Sequence, residues 1–211
     1  MIAAIVLAAG HARRMGAPKV LLPFAGTTVI NHIVTQLRAA PLADIVIVTG
    51  PRHRDIAAAL AGHPVRLVPN PDPDGDMLSS VRTGLRALQP DCRAALIALG
   101  DQPRITTELV RQLLRAFETG NAGLLVPTFH GRRGHPLLMT TAYRDEVLRQ
   151  HDAEGLRGLL HAHPDDLATL PVEDNAVLAD MDTPEDYHRE CAAQARRDGR
   201  GECGGGPPSL S

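Results

Sequence analysis

Residues 2–8 read IAAIVLA and run directly into Ala9-Gly10. Seven apolar residues with no polar alternation predict a strand buried on both faces, as in a parallel sheet. Working outward, the same signature recurs. Asp44-Ile45-Val46-Ile47-Val48-Thr49 reads as a second buried strand, closed by Gly50-Pro51. Further strands are expected over 65–68, over 94–99 before Gly100-Asp101-Gln102-Pro103, over 123–127 and over 167–172. Helical patterns lie between them. Over 27–40, Val29, Ile30, Ile33, Val34 and Leu37 share one face. Helices are also expected over 52–61, 77–88, 106–118, 141–150, 154–161 and from 184 to about 196. Strands alternating with helices at this spacing predict an α/β fold: three α/β/α layers around a mainly parallel, Rossmann-like sheet. The run Pro69-Asn70-Pro71-Asp72-Pro73-Asp74-Gly75-Asp76 must be an extended loop, because proline lacks a donor and restricts its predecessor. One domain is expected over 1–197. The tail 198–211, DGRGECGGGPPSLS, has almost nothing to bury and is expected to be disordered.

The totals narrow the class. The chain has 211 residues and a formal net charge of −2, from 22 basic and 24 acidic side chains. That balance implies neither a nucleic-acid nor a membrane surface. Hydrophobic residues make up 44% and aromatic ones 2%, with no Trp, two Tyr and three Phe. The core must be aliphatic, and few rings remain to stack on single-stranded nucleic acid. Cys92, Cys191 and Cys203 lack any CxxC or Cys/His metal spacing, so reduced thiols in a cytoplasmic protein are expected. The apolar start has no basic flank and ends at Gly10, which fits a strand and not a signal peptide. No run of 18 apolar residues suggests a membrane span. Without heptads, a monomer is the default expectation.

In open α/β sheets, ligands bind beyond the carboxyl ends of strands at a switch point. That rule selects residues 8–19, 100–103 and 180–182. In the first segment, Ala8, Ala9 and Gly10 let the backbone approach a charged ligand. Main-chain N–H groups of such loops cup anions, and Arg13, Arg14 and Lys19 place three positive charges within seven positions. Neither GxxxxGK[ST] nor GxGxxG is present, so a plain strand-to-helix loop with solvated arginines stays open. In the second segment, Asp101 suits magnesium, which takes one or two carboxylates beside phosphate oxygens; a turn-forming Asp is the alternative. In the third, Thr183 reads as an N-cap with Pro184 at N1 and Asp186 at N3, a short-acid capping box. Glu185 and Asp186 are then structural. Asp180 and Asp182, on alternate positions of an extended segment, can face one side.

Other segments carry weaker signals. Gly75 permits close approach of a ring, and Ser79 or Ser80 either caps the following helix or touches a ligand. Gly131-Arg132-Arg133-Gly134-His135-Pro136 suits an anionic ligand or, equally, a hairpin turn with solvated charges. His135 titrates in a range that allows acid–base work but nothing requires it. His151, His161 and His163 lack zinc spacing and read as surface or packing residues.

The string Leu7-Ala8-Ala9-Gly10-His11-Ala12-Arg13-Arg14-Met15-Gly16-Ala17-Pro18-Lys19-Val20-Leu21-Leu22-Pro23 resembles the LAAGxSxRMGxxKxLLP signature of the MobA-like nucleotidyltransferases, in particular their molybdenum cofactor cytidylyltransferase branch. Gly100-Asp101-Gln102-Pro103, the GxxGHP pattern at 131–136 and Asp180-Met181-Asp182-Thr183-Pro184-Glu185-Asp186-Tyr187 match further signatures of that family, in order, over residues 1 to about 190. One departure is Ala12, where the signature has Ser. The lost hydroxyl removes one neutral hydrogen bond, worth about 0.5–1.5 kcal/mol net.

The resemblance implies a nucleotide-diphospho-sugar transferase type of fold and a set of roles. Leu7, Ala8, Ala9, Gly10, Arg14, Lys19, Gly75, Ser80 and Asp101 would bind nucleotide. Lys19 and Arg14 would neutralise charge on the reacting phosphates. Asp101 and Asp182 would hold Mg2+, with Asp180 as the second choice to Asp182. Gln102, Gly134, His135 and Pro136 would face the acceptor. The implied reaction transfers CMP from CTP to the terminal phosphate of molybdenum-bearing molybdopterin and releases pyrophosphate. Ala9 favours CTP over GTP, because the guanylyl branch tends to carry Gly there; one methyl discriminates by about 1–3 kcal/mol. A sugar phosphate, methylerythritol phosphate or phospholactate acceptor remains open. So does a carrier that delivers cofactor to a molybdenum hydroxylase without catalysis, against which Lys19, Asp101 and Asp182 together argue.

Overall fold

The computed structural model describes residues 1–10, 18–72 and 74–199. Its strands are β1 (Ile2–Ala8), β2 (Pro23–Phe24), β3 (Thr27–Thr28), β4 (Asp44–Thr49), β5 (Arg66–Pro69), β6 (Ala94–Leu99), β7 (Leu124–Phe129), β8 (Arg132–Arg133), β9 (Leu137–Thr140) and β10 (Leu167–Pro171). Its α-helices are α1 (Val29–Arg38), α2 (His53–Ala59), α3 (Met77–Arg86), α4 (Thr107–Thr119), α5 (Arg144–Arg149), α6 (Leu156–Ala162) and α7 (Pro184–Arg197).

The opening strand lies inside the sheet, as its unbroken apolar run predicts. β1 pairs parallel with β4 on one side and with β6 on the other, and β5 extends the sheet beyond β4. The full order is β10-β7-β9-β6-β1-β4-β5. The chain therefore winds outward from β1 through β4 and β5, then crosses back to β6. The switch point falls between β1 and β6, whose carboxyl ends carry Ala9-Gly10 and Gly100-Asp101. Residues of β1 alternate between two cores. Ile2, Ala4, Val6 and Ala8 pack with α1, α2 and α4; Ala3 and Ile5 pack with α3, α5 and α6. These are the three layers the sequence predicts. Among the described residues, no helix is long and apolar enough to cross a membrane.

Helix starts follow from short polar caps. The Thr28 hydroxyl accepts from the Asn31 N–H, and the Thr106 hydroxyl from the Leu109 N–H. Thr183 and Asp186 form the expected capping box, with Pro184 in the first turn. At α3 the cap alternative for Ser79 and Ser80 is not the one taken. Asp76 is the N-cap, its carboxylate accepting from the Ser79 N–H at 2.8 Å. Asp76 precedes the helix and has the extended backbone a cap requires, whereas Ser79 and Ser80 are already helical.

One feature departs from the reading of the sequence and another decides between its alternatives. β9 runs antiparallel between β6 and β7, where only an apolar stretch after a loop was expected. Residues 131–136 take the hairpin alternative. His130 and Gly131 make the turn of a β7–β8 hairpin, with φ of 48° and 77°. Two consecutive residues in that region are what a type I′ hairpin turn requires.

Candidate active site

Three segments meet at the carboxyl edge of the sheet. Lys19 begins a short 3-10 turn after the β1 loop. Asp101 follows β6, and Asp182 precedes the cap of α7. The Lys19 Nζ lies 2.6 Å from Asp182 Oδ1 and 3.5 Å from Asp101 Oδ2. Its side chain is only 17% exposed, so the ammonium is held between two carboxylates and largely shielded. Burial raises the Asp101 carboxyl above its usual range; Lys19 opposes that shift, and Asp180 and Asp182 add to it.

The segment carrying Asp180 and Asp182 is pinned on both sides. The Met181 N–H donates to the Asp101 carbonyl, and the Gln102 amide donates to Asp180 Oδ1 at 2.6 Å. Arg104, nearly buried, gives Nε to Glu190 of α7 at 2.6 Å, Nη1 to Asp174 at 3.0 Å and Nη2 to Asn175 at 2.7 Å. One guanidinium three residues after Asp101 thus holds residues before and after Asp182. A planar fork suits that task better than a point charge.

Two cavities open at this edge. The first, about 480 Å³, is lined by Leu7, Ala8, Ala9, Gly10, Lys19, Gly75, Ser80 and Asp101 among others. All the nucleotide-binding residues singled out in the sequence are there except Arg14, which lies outside the described residues together with Ala12 and Arg13. The second cavity, about 680 Å³, takes Gln102, Gly134, His135 and Asp180 into its wall. Pro136 is buried and does not line it. The cavities share Asp76, Met77 and Leu99, and the chain neighbours Asp101 and Gln102 line one each.

The backbone shapes the second cavity closely. The Gly134 N–H donates to the Pro127 carbonyl and the His135 N–H to the Val177 carbonyl. A Cβ on Gly134 would run into that same Val177 carbonyl, so glycine is required by close approach. The His135–Pro136 peptide is cis. Burial lowers the His135 imidazole below its usual range, with Asp180 opposing, so the ring is neutral near pH 7. Arg132 and Arg133 are exposed on the hairpin yet reach the cavity wall. His151 and His163 both hydrogen-bond Glu146, and His161 bonds Glu154. His151 and His163 thus pack as expected, whereas His161 is an exposed residue that also lines the second cavity.

Residues 4–167 match the MobA-like NTP transferase domain. The chain belongs to the MobA-like NTP transferase family. It is 27% identical to the molybdenum cofactor cytidylyltransferase of Escherichia coli K12, over 87% of this chain and 92% of that one. It is 29% identical to the nicotine blue oxidoreductase of Paenarthrobacter nicotinovorans, over 89% and 95%. Among solved structures it is similar to Rv0371c of Mycobacterium tuberculosis H37Rv, with a TM-score of 0.81 and 27% identity over 90% of this chain and 96% of that one. Rv0371c is also known in complex with manganese. The protein is a nucleotidyltransferase of this family, with the nucleotide-diphospho-sugar transferase fold.

Some of the site escapes sequence reasoning. Gly50, Pro51 and Arg52 line the first cavity, although Gly50-Pro51 reads only as a strand break. They follow β4, so the strand-end rule that selects residues 8–19 also reaches them. Asp76, Met77 and Leu99, common to both cavities, carry no motif signal.

Proposed function

We propose that the protein transfers CMP from CTP to the terminal phosphate of a molybdopterin-type acceptor and releases pyrophosphate. The observation that carries this reading is the Lys19 ammonium held by Asp101 and Asp182 where a nucleotide-sized cavity adjoins a second one. Two carboxylates that already share one cation form a hard oxygen donor set suited to Mg2+ or Mn2+, with phosphate and water completing the shell. The manganese complex of the similar Rv0371c supports that assignment. When bound, such an ion would offset charge on the phosphate oxygens and orient them.

The remaining steps belong to the chain. Ala8, Ala9 and Gly10 admit the triphosphate against the backbone. Lys19, and Arg14 by resemblance, neutralise charge that builds on the transferring and leaving phosphates. The acceptor's terminal phosphate oxygen attacks the α-phosphorus, and the bond to the pyrophosphate oxygen breaks. That oxygen is anionic at neutral pH, so no strong base is needed. His135, neutral and on the acceptor wall with Gln102 and Gly134, positions the acceptor without taking a proton. Ala9 supports CTP over GTP by one methyl group. A cation clasped by two carboxylates at the carboxyl end of β1 suits phosphoryl transfer.

Pyrophosphate release tests the reading. CTP and GTP are offered with Mg2+ or Mn2+ and a panel of acceptors: molybdopterin, methylerythritol phosphate, phospholactate and a sugar phosphate. Release is expected with CTP and molybdopterin and not with the other acceptors. Asp101→Ala should abolish it while the circular dichroism spectrum stays native. Release at the normal rate by that variant would make the metal assignment wrong.

A further inference from the structure

Asn70 sits in the proline-rich loop, 8% exposed, and does not line either cavity. Its amide is the hub of five contacts. Oδ1 accepts from the Asp72 N–H at 3.1 Å, from Ser79 Oγ at 3.2 Å and from Thr83 Oγ1 at 3.3 Å. Nδ2 donates to Ser79 Oγ at 3.1 Å and to Ser80 Oγ at 3.2 Å. The orientation of the amide is decided by Asp72, because a main-chain N–H can only donate and must face the oxygen. The nitrogen therefore faces the serines. Ser80 Oγ, on a residue 5% exposed in the wall of the first cavity, is bound to accept. Among the described residues, none offers an acceptor to the Ser80 hydroxyl hydrogen.

We infer that Asn70 is a specificity-positioning residue: it fixes Ser80 as a hydrogen-bond donor toward the nucleobase, which selects cytosine over uracil. This rests on the nucleotide occupying the first cavity. Cytosine presents acceptors at both O2 and N3, whereas uracil carries N–H at position 3. A hydroxyl whose lone pair is engaged from behind offers its hydrogen; O2 accepts in both bases, so the selection comes from position 3, where cytosine accepts and uracil donates. Buried polar groups discriminate strongly when the wrong partner leaves them unpaired.

Asn70→Asp reverses the polarity with little change of shape. The carboxylate inherits the Asp72 N–H and the Ser79 and Thr83 hydroxyls, so the loop keeps its donors. Ser80 then donates to the carboxylate oxygen that replaces Nδ2 and turns its lone pairs to the cavity. The test is calorimetric binding of CTP, UTP and inorganic tripolyphosphate with Mg2+, without acceptor. Wild type should bind CTP roughly tenfold more tightly than UTP, the scale of one good hydrogen bond. Asn70→Asp should weaken CTP about tenfold, leave tripolyphosphate unchanged and bring the CTP-to-UTP ratio to one or below. In a Ser80→Ala background, Asn70→Asp should add nothing. Equal weakening of all three ligands, or the same loss with and without Ser80, overturns the inference, because a merely structural Asn70 would behave so. Failure of wild type to bind CTP would instead overturn the nucleotide reading. Binding with the expected ratios but no pyrophosphate release would overturn the transfer reading alone.

Discussion

The two halves of the sheet are built by different rules. Along the main sheet from β1 to β6, strands alternate with helices in parallel order, and the first cavity is lined from the ends of β1, β4 and β6 by Ala8, Ala9, Gly10, Gly50 and Asp101. From β7 to β10 an antiparallel strand and a hairpin break that order, and the second cavity takes charged side chains from the hairpin and α6. The contrast teaches that the first cavity lies at the ends of regular parallel strands, where motifs record its lining, whereas the second is built largely on irregular connections.

The contrast can be broken at its sharpest point first. Lys19→Met removes the only described cation between Asp101 and Asp182, and kcat should fall about 10²–10³-fold, the scale of one lost charge-stabilising donor. Single-turnover pyrophosphate release measures it; a loss confined to KM for the acceptor would place Lys19 in the wrong half. Gly134→Ala should come next. Its methyl meets the Val177 carbonyl, an overpacking cost of about 1–3 kcal/mol, seen as a lower thermal midpoint and a raised acceptor KM with KM for CTP unchanged.

The smallest effect lies at the start of α7, behind both halves. Arg189, the Thr183 cap and main-chain N–H groups hold the Asp186 carboxyl down at about 2. Its folded value is depressed, so its stabilisation is complete above the unfolded value of about 3.9 and fades as pH falls through that range toward 2. Asn at 186 keeps the shape and removes the charge. The gap in thermal midpoint between wild type and Asp186→Asn should therefore be widest at pH 5 and above and close near pH 2. Salt should narrow it, since Arg189 is half exposed. A gap that stays constant with pH would show that the charge contributes nothing.

Legibility follows the same division. The central strands could be read because burial on both faces leaves unbroken apolar runs, as at 2–8, 44–49 and 94–99. The capping box at Thr183 could be read because cap and partner are three residues apart. β9 could not, because four residues carry too little periodicity and nothing in them says that they insert between β6 and β7. Asp101 and Lys19 were accessible through motif and strand-end position. The support beneath them was not. Arg104 meets Glu190 across 86 residues, and Asn70 in a run of prolines reads as a turn former. Long-range polar pairs leave no local pattern.

Lys19 between Asp101 and Asp182 has one more consequence. The ammonium is the resident counterion of the carboxylates, and any divalent cation sharing those carboxylates must compete with it. A nucleotide triphosphate gives that ammonium a better place to go. If the proposed function holds, metal and nucleotide are thermodynamically linked, each raising the affinity for the other by the same factor. On the proposed function the site would act as a small ion exchanger, with low appetite for metal alone and a higher one once phosphate has drawn the lysine away.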